Sequence, residues 1–147
     1  MFLRCEEKIE MKKRRIFISF DHDDYFQVAG FLGLRNIIES FDFYNHKLDR
    51  RIESKDEEYV RRVIREEYIR PASVTVVLIG DNTANSEWVP WEIQESIRQG
   101  KGILGIHLKD STGAIPSGIP SGHVGSWQPE KFADWIEWAY KQSLRYK

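Results

Sequence analysis

The stretch VTVVLIG at residues 74–80 decides the fold of this chain. Six consecutive apolar or β-branched residues followed by a glycine predict a strand that is covered on both faces, as in a parallel sheet. The segments RIFISF at 15–20 and ILGIHL at 103–108 have the same character. Because long segments separate these three strands, crossover connections and a mostly parallel sheet are favoured.

Helical patterns fill the segments between the strands. Apolar residues recur at helical intervals over 25–40, although two glycines weaken that pattern. Ser54 and Glu57 form a capping box ahead of a second helix, and Pro71 ends it. This alternation of strands and helices predicts an α/β fold with helices on both sides of the sheet.

Two further helices have clear start and stop signals. Asn85 or Ser86 caps the first of them, Pro90 falls in its first turn, and Gly100 ends it. Pro129 opens the last helix, which presents Phe132, Trp135, Ile136, Ala139 and Leu144 to the core. The chain therefore alternates between the two element types as far as its C-terminal helix.

Short strands at 41–44 and near the end of the polar loop 110–125 complete the sheet. The predicted architecture is a flavodoxin-like three-layer sandwich with a mostly parallel central sheet and the strand order 2-1-3-4-5. In such sheets ligands bind beyond the carboxyl ends of strands 1 and 3. The helix that leaves strand 3 borders that crevice.

Length and composition restrict the class of protein. The 147 residues suit one domain, which we place at 15–147 after a flexible leader at 1–14. A net charge of −1 favours neither nucleic acid nor an anionic membrane as a partner, and the apolar stretches are too short to span a bilayer. The single cysteine, Cys5, cannot form an internal disulfide, so a cytoplasmic location is expected.

The helix after strand 3 begins with NSEWVPWEI, in which Glu92 follows Trp88 by four residues. A carboxylate one turn from an indole can lie beside a flat aromatic ligand and face a developing positive charge. Trp88 or Trp91 would stack on a ring, and Phe20 would close its far side. The alternative is structural: a glutamate in the first turns of a helix and tryptophans at helical spacing are also common packing residues.

One carboxylate suffices where the leaving group is already positive, as in the nicotinamide–ribose bond of NAD. No acid is needed, and Glu92 would stabilise the ribosyl cation, unlike the paired carboxylates of ordinary glycosidases.

A second interpretation uses the carboxylates and the lysine that follow the strands. Asp21, Asp23, Asp24, Asp81 and Lys109 resemble the Mg²⁺-binding cluster, phospho-acceptor and lysine of a receiver domain. The alternative is a solvated turn whose aspartates cap the next helix.

The histidines are ambiguous. His22 is either a ligand contact or a turn residue, and His107 within a strand is expected to be a core histidine with its hydrogen bonds satisfied. No cluster of histidine and cysteine has metal-ligand spacing, so we predict no metal site.

Several segments together resemble the TIR-like proteins of the Thoeris anti-phage system. These are residues 16–21 with the F-I-S strand and its acidic turn, 74–80, the S-x-W-x-x-x-E helix opening at 86–93, and 103–107. The similarity runs in order from about residue 15 to 108. It implies an enzyme that takes NAD as its substrate, without a further cofactor, and forms an ADP-ribose-derived signal that activates a separate effector protein.

By this resemblance Glu92 is the catalytic glutamate. The residues implied at the nucleotide pocket are Ser19, Phe20, Asp21, His22 and Trp88. The loop 45–55 corresponds to the family's variable loop, which often mediates self-association. A non-catalytic TIR-like interaction module remains the alternative to an enzyme, and the receiver-like phospho-switch is a further one.

Overall fold

A computed structural model describes residues 14–24, 27–28, 42–43 and 56–145, with only the backbone described at 22, 42 and 43. Within these residues five strands form one sheet in the order β2–β1–β3–β4–β5, and every neighbouring pair is parallel. The strands are β1 (Ile16–Phe20), β2 (Asp42–Phe43), β3 (Val74–Ile79), β4 (Gly102–His107) and β5 (Val124–Gly125). The predicted flavodoxin-like order and the parallel sheet are confirmed.

Helices with described bounds are numbered from the first that follows β2. Helix α1 (Glu57–Val63) continues into a π-helical segment (Ile64–Ile69), α2 is Val89–Arg98, and α3 is Pro129–Leu144. Short 3-10 turns occupy His22–Asp24 and Thr83–Asn85. In the described part of the chain, no helix combines the length and the apolar character that a membrane crossing requires.

The helices cover the sheet on its two faces. Alternate residues of β1 point to opposite faces. Ile18 packs in a core cluster with Phe132 of α3, whereas Phe17 packs with Val60 and Val63 of α1. On β3 the side chains of Val77 and Ile79 pack against α2. Because every residue of β1 and β3 is buried, the sheet is the centre of a three-layer α/β sandwich.

The start of α1 differs from the prediction. The helix is capped by Asp56, whose carboxylate accepts a hydrogen bond from the backbone N–H of Tyr59, and the predicted cap Ser54 lies outside the described residues. Tyr59 in the first turn of this helix is 39% exposed. Asp56 can take this position because an aspartate directly before the first turn caps a helix as well as a serine does.

Helix α2 begins as predicted around Pro90, but its N-cap residue is Trp88. The hydroxyl of Ser86 nevertheless accepts from the backbone N–H groups of Trp88 and Val89, at 3.3 and 3.4 Å. Gly100 follows the helix with a positive φ of 76°, the left-handed conformation that a glycine adopts at low cost.

Other predictions have mixed outcomes. Leu144 is 47% exposed, so its assignment to the core was wrong, whereas Phe132, Ile136 and Ala139 are buried. The Nδ1 atom of His107 is buried and has no hydrogen-bond partner among the described residues, which differs from the expectation of a satisfied histidine. In the segment predicted as a helix over 25–40, residues 27 and 28 are helical, while the rest lies outside the described residues, as do the leader to residue 13 and the loop 45–55.

Candidate active site

Glu92 lies in the first turns of α2, on the side that faces the sheet, and is only 4% exposed. Its carboxylate oxygen Oε1 accepts a hydrogen bond of 2.7 Å from the hydroxyl of Ser19, which is fully buried on β1. The backbone N–H of Glu92 donates to the carbonyl of Trp88 at 2.9 Å. Helix and sheet thus hold the predicted catalytic carboxyl against the predicted pocket residue Ser19.

Burial sets the charge of this carboxyl. Removal from water penalises the ionised form and raises the pKa of Glu92 to about 8, while the hydrogen bond from Ser19 opposes that rise. Among the described contacts, no arginine or lysine pairs with Glu92. With a pKa of about 8, the carboxyl of Glu92 is mostly protonated at neutral pH.

The backbone of Glu92 is fixed as well. The hydroxyl of Ser96 donates to the carbonyl of Glu92 at 2.8 Å and lies 2.7 Å from the hydroxyl of Thr75 on β3. Both hydroxyl-bearing residues are fully buried. The sequence interpretation missed this pair, although a threonine within an otherwise aliphatic strand was a signal for it.

Trp88, the N-cap residue of α2, is partly buried against the core cluster that contains Phe17 and Val60. Its ring and that of Trp91 meet edge to face with their centroids 6.0 Å apart. The guanidinium of Arg61 in α1 lies 4.9 Å from the Trp88 centroid and 4.8 Å from the Trp91 centroid. Such cation–π contacts stabilise the position of both rings, so Trp88 helps to hold α2 against α1.

The other predicted pocket residues do not all face Glu92. The side chain of Phe20 belongs to the core cluster on the α3 side of the sheet, because it alternates with Ser19 along β1. Asp21 follows the strand, and its carbonyl accepts the N–H of Asp24 at 2.9 Å. His22 lies in the 3-10 turn, where only its backbone is described.

The acidic turn after β1 faces the end of β3. Asp23, Asp24, Asp81 and Lys109 line a cavity of about 310 Å³ at this edge. Burial, and then the charge of Asp21, raise the pKa of Asp24, while a hydrogen bond from Thr83 lowers it.

Gly80 makes this arrangement possible. A side chain at Gly80 would collide with the carboxylate of Asp24, so only glycine lets that carboxylate approach the end of β3. The acidic residues and the lysine of the receiver-like interpretation therefore lie close together. Within the described residues, however, no three acidic, histidine or cysteine side chains are arranged to hold a metal ion.

Comparison with known proteins links this site to a family. The family model of the "Thoeris protein ThsB, TIR-like domain" matches residues 17–113, which include Ser19, Trp88 and Glu92. A Bacillus cereus (strain MSX-D12) protein named "Putative cyclic ADP-D-ribose synthase ThsB1" is 50% identical over 52 residues, covering 33% of this chain and 27% of that relative. The match thus spans little more than a quarter of the relative's length.

Proposed function

The chain belongs to the TIR-like family of the Thoeris protein ThsB, and on that basis we propose that it is an enzyme that cleaves the nicotinamide–ribose bond of NAD. The product would be an ADP-ribose-derived signal that activates a separate effector protein in anti-phage defence. The observation that carries the proposal is the buried carboxyl of Glu92, hydrogen-bonded to Ser19 beside the carboxyl end of β1. The name of the relative, a cyclic ADP-D-ribose synthase, supports the same class of substrate.

In the proposed reaction the bond between ribose C1′ and the pyridinium nitrogen breaks heterolytically. Both electrons go to the nitrogen, so nicotinamide leaves as a neutral molecule and the ribose carries the positive charge. The Glu92 carboxylate stabilises that charge, which a protein can do strongly in a site shielded from water. A nucleophile then captures the cation: water gives ADP-ribose, and an adenine nitrogen of the same molecule gives a cyclic product.

Because the pKa of Glu92 is raised, binding of the cationic substrate would itself ionise the catalytic carboxyl. With a pKa of about 8 the empty site holds a protonated, neutral carboxyl. A pyridinium cation nearby favours the ionised form and lowers that pKa, so the proton is released to solvent as NAD binds. The carboxylate then becomes the main form of Glu92 when a cationic substrate is bound.

Trp88 has a supporting role in this proposal. Its contacts with Trp91 and Arg61 fix the turn of α2 that precedes Glu92. Ser19 orients the carboxyl, and Asp21 and His22 lie at the strand edge where the nucleotide would enter. Self-association through the loop 45–55 remains a prediction, as does a cytoplasmic location.

The test is to incubate the purified protein with NAD and to follow nicotinamide and the ADP-ribose products by mass spectrometry. Protein from phage-challenged cells should be included, because TIR enzymes commonly need a trigger. Glu92→Gln should lower nicotinamide release about 10²- to 10³-fold, the loss typical of removing one electrostatic stabiliser. Glu95→Gln is the matched control, since Glu95 is a buried glutamate of the same helix that pairs with Arg98.

Equal nicotinamide release from the wild type and Glu92→Gln would remove the catalytic assignment. It would favour the second candidate, a non-catalytic interaction module, to which the near-complete burial of Glu92 also gives some support. For such a module, Glu92→Gln should leave protection against phage intact.

A further inference from the structure

A buried pair of hydroxyl groups connects the sheet to the helix that carries Glu92. Thr75 of β3 and Ser96 of α2 lie 2.7 Å apart through their hydroxyl oxygens, and both residues are fully buried. The neighbouring side chains on this face, Val77, Ile79 and Ile93, are aliphatic. Polar groups are costly in such surroundings unless they are hydrogen-bonded, so a specific arrangement is needed here.

The direction of the hydrogen bonds follows from the number of protons. The hydroxyl of Ser96 donates to the carbonyl of Glu92 at 2.8 Å. A serine hydroxyl has one proton, so Ser96 must accept from Thr75. The result is a directed chain from Thr75 on β3, through Ser96, to the main-chain carbonyl of Glu92.

Glu92 is therefore held at two points by two neighbouring strands. Ser19 of β1 donates to its carboxyl, and Thr75 of β3 reaches its carbonyl through Ser96. The strands are paired in register, with Phe17 opposite Thr75, so both anchors lie on the same face of the sheet, two residues apart along it. The hydrogen bond from Ser96 to the carbonyl of Glu92 lies within α2. The hydrogen bond with Thr75 connects this helix to the sheet.

We propose that Thr75 and Ser96 are positioning residues for Glu92. Their hydrogen bond fixes the register of α2 on β3, and thereby places the Glu92 carboxyl within reach of Ser19. The inference rests on the proposed function for its catalytic consequence, but the position of Glu92 can be measured in the protein without any substrate.

The kinetic test uses Thr75→Val, which keeps the shape of the side chain and removes the hydroxyl. We expect kcat for nicotinamide release to fall about 10- to 100-fold with KM little changed, because a small displacement of a catalytic group costs rate more than binding. Thr75→Ser restores the hydroxyl and should recover most of the activity. A Thr75→Val protein with kcat within about twofold of an active wild type would overturn the proposal.

Ile136→Val controls for simple loss of stability, since Ile136 is buried on α3 on the opposite face of the sheet. It should lower the unfolding temperature but leave kcat unchanged. If it lowers kcat as much as Thr75→Val does, the effect is one of general stability and the proposal fails.

The second readout needs no activity. In protein labelled with carboxyl ¹³C, the titration midpoint of Glu92 should shift away from its wild-type value in Thr75→Val and Ser96→Ala, because displacement changes both the burial of the carboxyl and its hydrogen bond from Ser19. It should stay in place in Thr75→Ser and Ile136→Val. An unmoved midpoint in Thr75→Val overturns the proposal even if no protein releases nicotinamide, a result that would count separately against the proposed function.

Discussion

Helix α2 carries two buried glutamates, three residues apart, in opposite electrostatic settings. Glu92 is 4% exposed and Glu95 is 6% exposed. Ser19 donates the described hydrogen bond to the Glu92 carboxyl, and burial raises its pKa to about 8. Glu95 instead pairs with Arg98 and Arg65, and the hydrogen bond from Arg98 is the main reason why its pKa is lowered.

Burial alone therefore does not decide what a carboxyl does. Glu95 is compensated by cations within the protein, so it is ionised at neutral pH, and its ion pair with Arg65 connects α2 to the π-helical segment that follows α1. Glu92 lacks such a cation among its described contacts, and a group of this kind is a candidate to receive its counter-charge from a ligand. The contrast thus distinguishes a glutamate with a structural ion pair from a candidate functional glutamate without reference to any relative.

The largest expected effect is that the stabilities of Glu92→Gln and Glu95→Gln, each relative to the wild type, change with pH in opposite directions. The folded-state pKa of Glu92 is raised, so its contribution to stability is complete below the ordinary value of 4.5 and is lost as the pH rises to about 8. Glu92→Gln should gain stability relative to the wild type over that interval, on the order of 2–4 kcal/mol. The measurement is the free energy of unfolding in urea across this pH range.

Glu95→Gln should behave in the opposite way. The pKa of Glu95 is lowered in the folded state, so its contribution is present at neutral pH and is lost in acid. The variant should be less stable than the wild type by about 1–3 kcal/mol at neutral pH, with a smaller deficit in acid. Parallel pH profiles for the two variants would contradict the contrast.

A smaller effect is expected from Ser19→Ala. The hydroxyl of Ser19 stabilises the ionised carboxyl, so its removal should raise the pKa of Glu92 further. Nicotinamide release at neutral pH should fall about tenfold and recover in part at alkaline pH. Ser126→Ala, at an exposed serine distant in sequence from β1 and α2, is the control. A pH–rate profile that keeps its wild-type midpoint would argue against Ser19 acting through Glu92.

The smallest effect concerns the link between α1 and α2. Arg61→Met removes the guanidinium that contacts both Trp88 and Trp91, and should cost about 1 kcal/mol and change the tryptophan fluorescence. Arg62→Met is the matched control, because Arg62 is exposed and contacts the ring of Tyr59 instead. Equal changes in fluorescence for the two variants would show that the Trp88 turn does not depend on Arg61.

The sequence was sufficient for the sheet order and for the position of Glu92, because glycines, prolines and aliphatic runs mark the strands and α2 clearly. It was not sufficient for the direction of side chains on β1. Both faces of that strand are buried, so hydrophobic alternation is absent and Ser19 and Phe20 could not be assigned to opposite faces.

The hydrogen bonds and cation–π contacts around Glu92 also could not be predicted from the sequence. Thr75, Ser96 and Arg61 come from three elements, and their contacts depend on how far α2 slides along β3. The exposure of Leu144 had a similar cause: helical periodicity identifies the inward side of a helix but not where the helix passes the edge of the core.

The most direct test of the central claim is a carboxyl ¹³C titration that follows Glu92 and Glu95 in one sample, without and with 1-methylnicotinamide. This compound is a pyridinium cation that has no nicotinamide–ribose bond to cleave. We predict a Glu92 midpoint of about 8 that falls when the cation is added, and a Glu95 midpoint that is below its ordinary value and does not respond. Two similar midpoints near the ordinary value for glutamate, or a Glu92 midpoint that ignores the cation, would contradict the account.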